Sequence, residues 1–170
     1  MSRENDSRKI PYSNKRDVAV RAIFILLLVL FLFLVYRQVD ANDVPLSTIK
    51  SELTAKTDLS MFEECDERAL KQFIGIEPSA YKEYIYYKGT EALSVDELLI
   101  LKVEDKSTLG GLMDQCEKRV ASQINAFESY GPEQVSRLKN AVYFQKGNFL
   151  FYCVGKDTVP YEEVFKDVVQ

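Results

Sequence analysis

The side chains that carry most protein catalysis are sparse in this sequence. The 170 residues include no histidine, which removes the commonest general base and the commonest metal ligand together. Every Ser-His and Cys-His nucleophile arrangement is thereby excluded. The designs that remain need two convergent carboxylates or a Ser-Lys pair, and no recognisable motif marks either. We therefore predict no catalytic residues and no cofactor, and we expect a protein that is not an enzyme.

Two groups of acidic residues come closest to a metal site or an acid pair. The run Glu63–Glu67 (EECDE) holds four carboxylates, but it lacks the D-x-D-x-D-G spacing of a calcium loop. Acids in an early helical turn also suit the helix dipole. The other group, Glu97, Glu104 and Asp105, offers a candidate acid pair. We interpret the first group as a solvated face, we do not expect the second to act as an acid pair, and we predict no metal site.

The three cysteines, Cys65, Cys116 and Cys153, form an odd set, so at most one intramolecular disulfide exists. Each follows an apolar pattern, and a free buried cysteine behaves as a small hydrophobic residue. A disulfide between Cys116 and Cys153 is the alternative, if the long helix crosses the hairpin. Without an activating histidine, a cysteine nucleophile is not expected.

The tyrosines give the one affirmative sign of a binding site. Four of them fall within residues 81–87, and a tyrosine on an open sheet face can stack on sugar rings or on a partner's side chains. Period-2 alternation puts Ile85 on the core face, so we expect Tyr84 and Tyr86 on the exposed face. Tyr130 begins a corner that we interpret as helix termination, with a contact site as the second interpretation. These three tyrosines form the predicted partner-binding surface.

An apolar run near the N-terminus predicts a membrane anchor. From residue 18 to residue 36 the sequence is VAVRAIFILLLVLFLFLVY, and as a helix it spans roughly 28 Å, about the thickness of a bilayer core. Arg21 lies within one turn of its start and can extend to the headgroups. We predict a single transmembrane helix over residues 18–36, through which the lipid bilayer is a partner.

The distribution of charge orients this predicted anchor. Residues 1–21 carry six basic side chains against three acidic ones, whereas the rest of the chain carries sixteen against twenty-three. The positive-inside bias puts residues 1–17 in the cytoplasm, with a linker at 37–45 and an extracytoplasmic domain at 46–170. The acidic outer domain argues against nucleic-acid binding, which depends on neutralising phosphates. A cleaved signal peptide is the alternative, but the apolar stretch is longer than usual.

The outer segment alternates helical and strand patterns in the order α-α-β-β-α-α-β-β-α. Residues 96–103 (DELLILKV) are apolar on both faces, which indicates a central strand, and two β-rich runs around Gly147 indicate a hairpin. Paired strands between helices favour an α+β fold with a mostly antiparallel sheet of about four strands. The predicted helices cover residues 46–57, 60–73, 107–130, the segment after Pro132 and the segment after Pro160; the predicted strands cover 81–88, 96–103, 141–145 and 149–154.

Several of these segments together resemble a known family. Residues 94–107 (SVDELLILKVEDKS), the stretch 116–154 with its Tyr130–Gln134 corner (YGPEQ), and the upstream residues 70–87 are similar to the domain of unknown function 4358. The resemblance extends from about Cys65 to the C-terminus. It implies a membrane-anchored or lipid-anchored envelope protein of Gram-positive anaerobes, and it supplies no catalytic residues.

These observations lead to two functional hypotheses. The first is a membrane-tethered extracytoplasmic module that binds or organises another component of the cell envelope, a protein or a polysaccharide, without catalysis. The second is an accessory factor or weak hydrolase that acts on cell-wall or envelope polysaccharide. The sequence does not determine the oligomeric state.

Overall fold

The computed structural model of the chain describes residues 15–39 and 44–170, with side chains for 18–32 and 44–170. The chain divides into two compact units, Met1–Val39 and Asp40–Gln170. Most of the predicted tail at 1–17 and the centre of the predicted linker at 37–45 therefore lie outside the described residues.

The described part of the first unit is one helix, α1, Lys15–Val39. The large apolar side chains from Val18 to Leu32 are all more than half exposed. Among the residues that the structure describes, no helix is long and apolar enough to cross a membrane.

The second unit is an antiparallel five-stranded sheet between two layers of helices. The strands follow the spatial order β1-β2-β3-β5-β4, and every neighbouring pair is antiparallel. This arrangement confirms the predicted α+β class. In chain order the elements are α2 Leu46–Lys56, β1 Phe62–Glu64, α3 Glu67–Ile74, β2 Glu83–Gly89, β3 Glu97–Lys102, α4 Leu109–Phe127, α5 Pro132–Lys139, β4 Val142–Lys146, β5 Phe149–Val154 and α6 Val159–Val168.

The central strand β3 is buried along its whole length. Its apolar residues alternate between two cores, because successive side chains of a strand point to opposite faces of the sheet. Leu99 and Leu101 belong to a core that α3, α4 and α5 cover, whereas Leu98 and Ile100 belong to a core that α2 and α6 cover. The sequence prediction of a central strand in this segment is confirmed.

The predicted helix over residues 60–73 is wrong in its first half. Phe62–Glu64 forms strand β1, which pairs with the end of β2 and gives the sheet five strands where about four were expected. Helix α3 begins only at Glu67, because the Asp66 side chain accepts a hydrogen bond from the Ala69 backbone N–H at 2.9 Å. Such an N-terminal cap fixes where a helix starts. The helix ends at Gly75, whose φ of 81° is favourable for glycine.

The opposite faces of the sheet also determine the state of the cysteines. Cys116 points from α4 into the core on one side of the sheet, whereas Cys153 of β5 lies in the core on the other side. The alternative of a disulfide between them is therefore wrong. All three cysteines are free. Burial raises the pKa of the Cys116 thiol to about 12, so this thiol is uncharged at neutral pH.

Coverage of the second face by α2 can be tested by substitution in that helix. Ile49 is fully buried, so we expect Ile49→Ala to lower the free energy of unfolding by about 2–5 kcal/mol. Ser51, on the exposed side of α2, is the control, and Ser51→Ala should change it by less than about 0.5 kcal/mol. Urea titration of both variants measures the difference. Equal stabilities would mean that α2 does not cover the sheet.

Candidate functional site

A buried carboxylate lies at the start of the central strand. Glu97 is fully buried, and its two oxygens together accept hydrogen bonds from three side chains. The Tyr152 hydroxyl donates at 2.9 Å and the Tyr86 hydroxyl at 3.2 Å. Arg119 of α4 donates through Nη2 at 2.7 Å and through Nε at 3.4 Å. This cluster joins three strands of the sheet to the long helix.

The charges in this cluster stabilise one another. Burial disfavours the charged form of Arg119, but the hydrogen bond and the charge of Glu97 outweigh that effect and raise the Arg119 pKa. Burial and then the Glu97 charge raise the pKa of Tyr86 and Tyr152. Both phenols are therefore neutral donors at physiological pH. Because Glu97 has no exposed surface, no substrate reaches this carboxylate, and we interpret its pairing with Arg119 as structural.

One residue of this cluster, Tyr86, was predicted to belong to the binding surface. The expectation that Tyr86 is exposed is wrong, since its side chain is fully buried and opposes Leu99 of β3. Alternation separates exposed from buried residues only when one face of a sheet is open, and here helices cover both faces. The apolar pattern of residues 96–103 already implied two covered faces, so it is the sequence signal that could have corrected Tyr86.

A surface groove lies beside the first residues of β2. It has a volume of about 430 Å³, within the range of small-ligand sites. We call it the tyrosine groove. Its lining residues are Leu46, Ser47, Lys50, Glu67, Pro78, Tyr81, Lys82, Glu83, Tyr84 and Ile85.

The short length of β1 creates this groove. The three residues of β1 pair only with residues 87–89 of β2, and the chain then turns into α3. The outer edge of β2 at residues 83–85 is therefore bordered by helices instead of a strand. Alternation along β2 places the Tyr84 backbone N–H and C=O on this outer edge, since the Tyr86 C=O accepts from Cys65 of the β1 segment at 2.8 Å.

Two tyrosine rings and several charged groups shape the groove. The Tyr81 and Tyr84 rings make an edge-to-face contact with centroids 5.4 Å apart. The Tyr81 hydroxyl donates to Glu67 at 3.2 Å, and Lys50 donates to both oxygens of Glu64 at 2.6 and 2.7 Å. The groove therefore combines apolar ring surface with hydrogen-bonding groups of both signs.

The phenols of the groove are neutral under physiological conditions. Burial and then the hydrogen bond to Glu67 raise the Tyr81 pKa. Burial and the charge of Glu67 likewise raise the Tyr84 pKa. Neither phenol can act as a phenolate base at neutral pH, so the arrangement is suited to binding.

The structure separates the predicted tyrosine sites from one another. Tyr84 lines the groove and is half-buried, whereas Tyr130 is 61% exposed at the α4–α5 corner, where its ring lies 5.3 Å from Phe127. The corner itself is structural: Arg137 binds Asp96 at 3.0 Å and Glu133 at 2.6 Å. Partner binding at Tyr84 and at Tyr130 stays a prediction.

The acidic groups that the sequence marked have separate roles. Glu104 and Asp105 follow the C-terminal end of β3, whereas Glu97 is the first residue of that strand. The Asp105 side chain accepts a hydrogen bond from the Ser107 backbone N–H at 2.8 Å. Glu64 pairs with Lys50, and Asp66 caps α3. Within residues 44–170 and the described part of α1, no group of three or more acidic or cysteine side chains is placed to hold a metal ion.

Comparison with known proteins identifies a family. The model of the family described as Domain of unknown function (DUF4358) matches residues 55–155, which include all five strands and helices α3 to α5. No curated protein matches the chain. No solved structure matches it either.

Removal of the buried carboxylate tests the structural interpretation of the cluster. We expect Glu97→Ala to lower the free energy of unfolding by about 3–5 kcal/mol, because Arg119 would keep a buried, unpaired charge. The double variant Glu97→Leu with Arg119→Met should recover most of that loss, since both charges are then gone. Urea titration checks both, with Glu128→Ala at the exposed residue just after α4 as the control. A Glu97→Ala protein as stable as wild type would contradict the structural role.

Proposed function

This chain belongs to the family Domain of unknown function (DUF4358), and from that starting point we propose that it is a membrane-tethered extracytoplasmic binding module of the cell envelope without catalytic activity. The family description supplies no activity, so the proposal depends on the chain's own residues. The tyrosine groove is the observation that carries it.

The proposed membrane tether is the apolar run at residues 18–36. Its described side chains, Val18 to Leu32, lie on one helix and expose apolar surface along the whole stretch. Apolar surface of this extent in water is unfavourable, at roughly 25 cal/mol per Å², and a lipid bilayer removes that cost. The resemblance to envelope proteins of Gram-positive anaerobes favours the same placement.

The groove favours an uncharged polar ligand. Lys50 and Lys82 are balanced by Glu67 and Glu83 in its lining, so a ligand of either charge gains little net attraction. Hydroxyl groups can donate to the carboxylates and accept from the ammonium groups. A ligand with apolar C–H faces can also pack on the ring of Tyr84. A glycan segment of the envelope has both features, and we infer that it is the ligand.

The same lining keeps a second candidate function open. Glu67 and Glu83 are two carboxylates in one groove, and glycoside hydrolysis uses such a pair. An accessory factor or weak hydrolase acting on envelope polysaccharide would place its chemistry there. Glu67→Gln separates the two functions, since it removes hydrolysis and leaves a binding module able to retain its glycan.

The proposed topology gives a direct prediction. In cells whose wall has been removed, an external protease should digest the domain at 46–170 and spare an epitope placed before residue 1, because the positive-inside bias holds the N-terminus in the cytoplasm. Immunoblotting of epitopes at both ends measures the outcome, and digestion after detergent permeabilisation is the control. Protection of the C-terminal epitope in intact cells would overturn the orientation.

The groove is tested by co-sedimentation of the full-length protein, in detergent micelles, with insoluble cell-wall glycan. We expect Tyr84→Ala to weaken binding about tenfold, equivalent to about 1.4 kcal/mol, because the stacking surface is lost. Tyr84→Phe keeps the ring and should bind like wild type. Thermal unfolding of each variant shows whether the domain remains folded.

Tyr130→Ala is the matched control, because Tyr130 is exposed and lies outside the groove. Its binding should equal that of wild type. If Tyr130→Ala loses the glycan and Tyr84→Ala retains it, the binding surface lies at the α4–α5 corner. If the folded wild-type protein does not sediment with the glycan, the proposed ligand class is wrong.

A further inference from the structure

A second pocket lies between the end of α3 and the middle of α4. Its volume is about 420 Å³, similar to that of the tyrosine groove, with which it shares no lining residue. We call it the basic pocket. Its lining residues are Gln72, Phe73, Ile74, Gly75, Gln115, Lys118, Arg119 and Ser122.

The charge of this pocket differs from that of its surroundings. Residues 22–170 carry sixteen basic against twenty-three acidic side chains, yet the described lining contains the cations Lys118 and Arg119 and no acid. Glu97 behind the lining balances the charge of Arg119, so Lys118 supplies the net positive charge. Lys118 makes no ion pair within the described residues, and Asp114, one turn earlier on α4, does not line the pocket. The lining thus favours an anion.

Arg119 connects this pocket to the buried carboxylate behind it. Its Nη2 and Nε donate to Glu97, which leaves Nη1 outside that pair, and the guanidinium lies 5.5 Å from the centre of the Phe73 ring. Because Glu97 fixes the guanidinium from within, an incoming anion meets a donor that is already oriented. Preorganisation of this kind reduces the entropy lost on binding.

A buried acceptor in the lining gives an independent indication of a ligand. The side-chain oxygen Oε1 of Gln115 is buried and accepts no hydrogen bond within the described part of the chain. An unpaired buried acceptor costs about 1–3 kcal/mol. Rotation of the Gln115 side chain would bring this oxygen to the pocket, where a ligand hydroxyl can offset the cost by donating to it. A simple inorganic anion without a hydroxyl would leave this cost in place.

We propose that the basic pocket binds a sugar that carries an oxyanion, either a carboxylate or a phosphate ester. The oxyanion accepts hydrogen bonds from Lys118 and Arg119, and a neighbouring sugar hydroxyl donates to Gln115. Phe73 borders the pocket, and its ring also contacts the Lys88 ammonium, 3.4 Å from the ring centroid. This site is independent of the tyrosine groove, and its ligand is anionic where that of the groove is neutral.

Calorimetric titration of the full-length protein in detergent micelles, at pH 7 and constant ionic strength, tests the proposal. The ligands are glucuronate, glucose 6-phosphate, glucose and acetate. We expect saturable binding of glucuronate or glucose 6-phosphate, and the stronger of the two identifies the oxyanion. Glucose lacks the charge and acetate lacks the hydroxyl, so each should bind at least tenfold more weakly.

Two variants assign the binding to this pocket. Lys118→Glu should weaken binding of the charged sugar at least tenfold, whereas Lys139→Glu, an exposed lysine on α5 outside the pocket, should not change it. Gln115→Leu should weaken binding of the charged sugar and leave binding of acetate unchanged. Absence of saturable binding by the folded protein, or equal binding by Lys118→Glu and wild type, would overturn the proposal. Tyr84→Ala should have no effect, which distinguishes failure here from failure of the groove.

Discussion

The burial of β3 on both faces is the constraint on which this domain depends. A strand with no exposed side chain needs helices on both sides of the sheet, and its charged ends must find partners inside the protein. Glu97, at one end, faces the core beneath α4 and binds Arg119. Lys102, at the other end, faces the opposite core, where its ammonium donates to the Val44 carbonyl at 2.9 Å. Each face of the sheet therefore buries one charged end of β3, and each of these two side chains anchors a neighbouring segment.

Both candidate sites lie at the surface, next to residues that take part in this buried core. The tyrosine groove begins where β1 stops, which leaves the outer edge of β2 at residues 83–85 without a strand neighbour. The basic pocket uses the outer side of Arg119, whose inner side holds Glu97. A rigid core thus presents two surfaces of different chemistry. The groove has balanced charges and aromatic surface, whereas the pocket has cations and an unpaired acceptor.

The sequence predicted those features that depend on a repeating pattern. Three predicted elements are confirmed: the central strand β3 from its two-sided apolar run, helix α4 from its apolar stripe, and the hairpin from its turn at Gly147. It did not predict features that depend on tertiary contacts. The exposure of Tyr86 was mispredicted because alternation cannot reveal how many faces of a sheet are covered. The Glu97 cluster was not predicted because its partners Arg119 and Tyr152 lie twenty-two and fifty-five residues further along the chain.

The boundaries of α3 show why a small error in an element can hide a site. Predicted to start at Ser60, the helix would have buried Phe62 and Cys65 in one stripe and left no short strand. Its true start follows from the Asp66 cap, and its end from Gly75. The resulting eight residues span about 12 Å, with Glu67 in the tyrosine groove at one end and Gln72 to Ile74 in the basic pocket at the other. Because the cap sets the register of this helix, one aspartate positions lining residues of both sites.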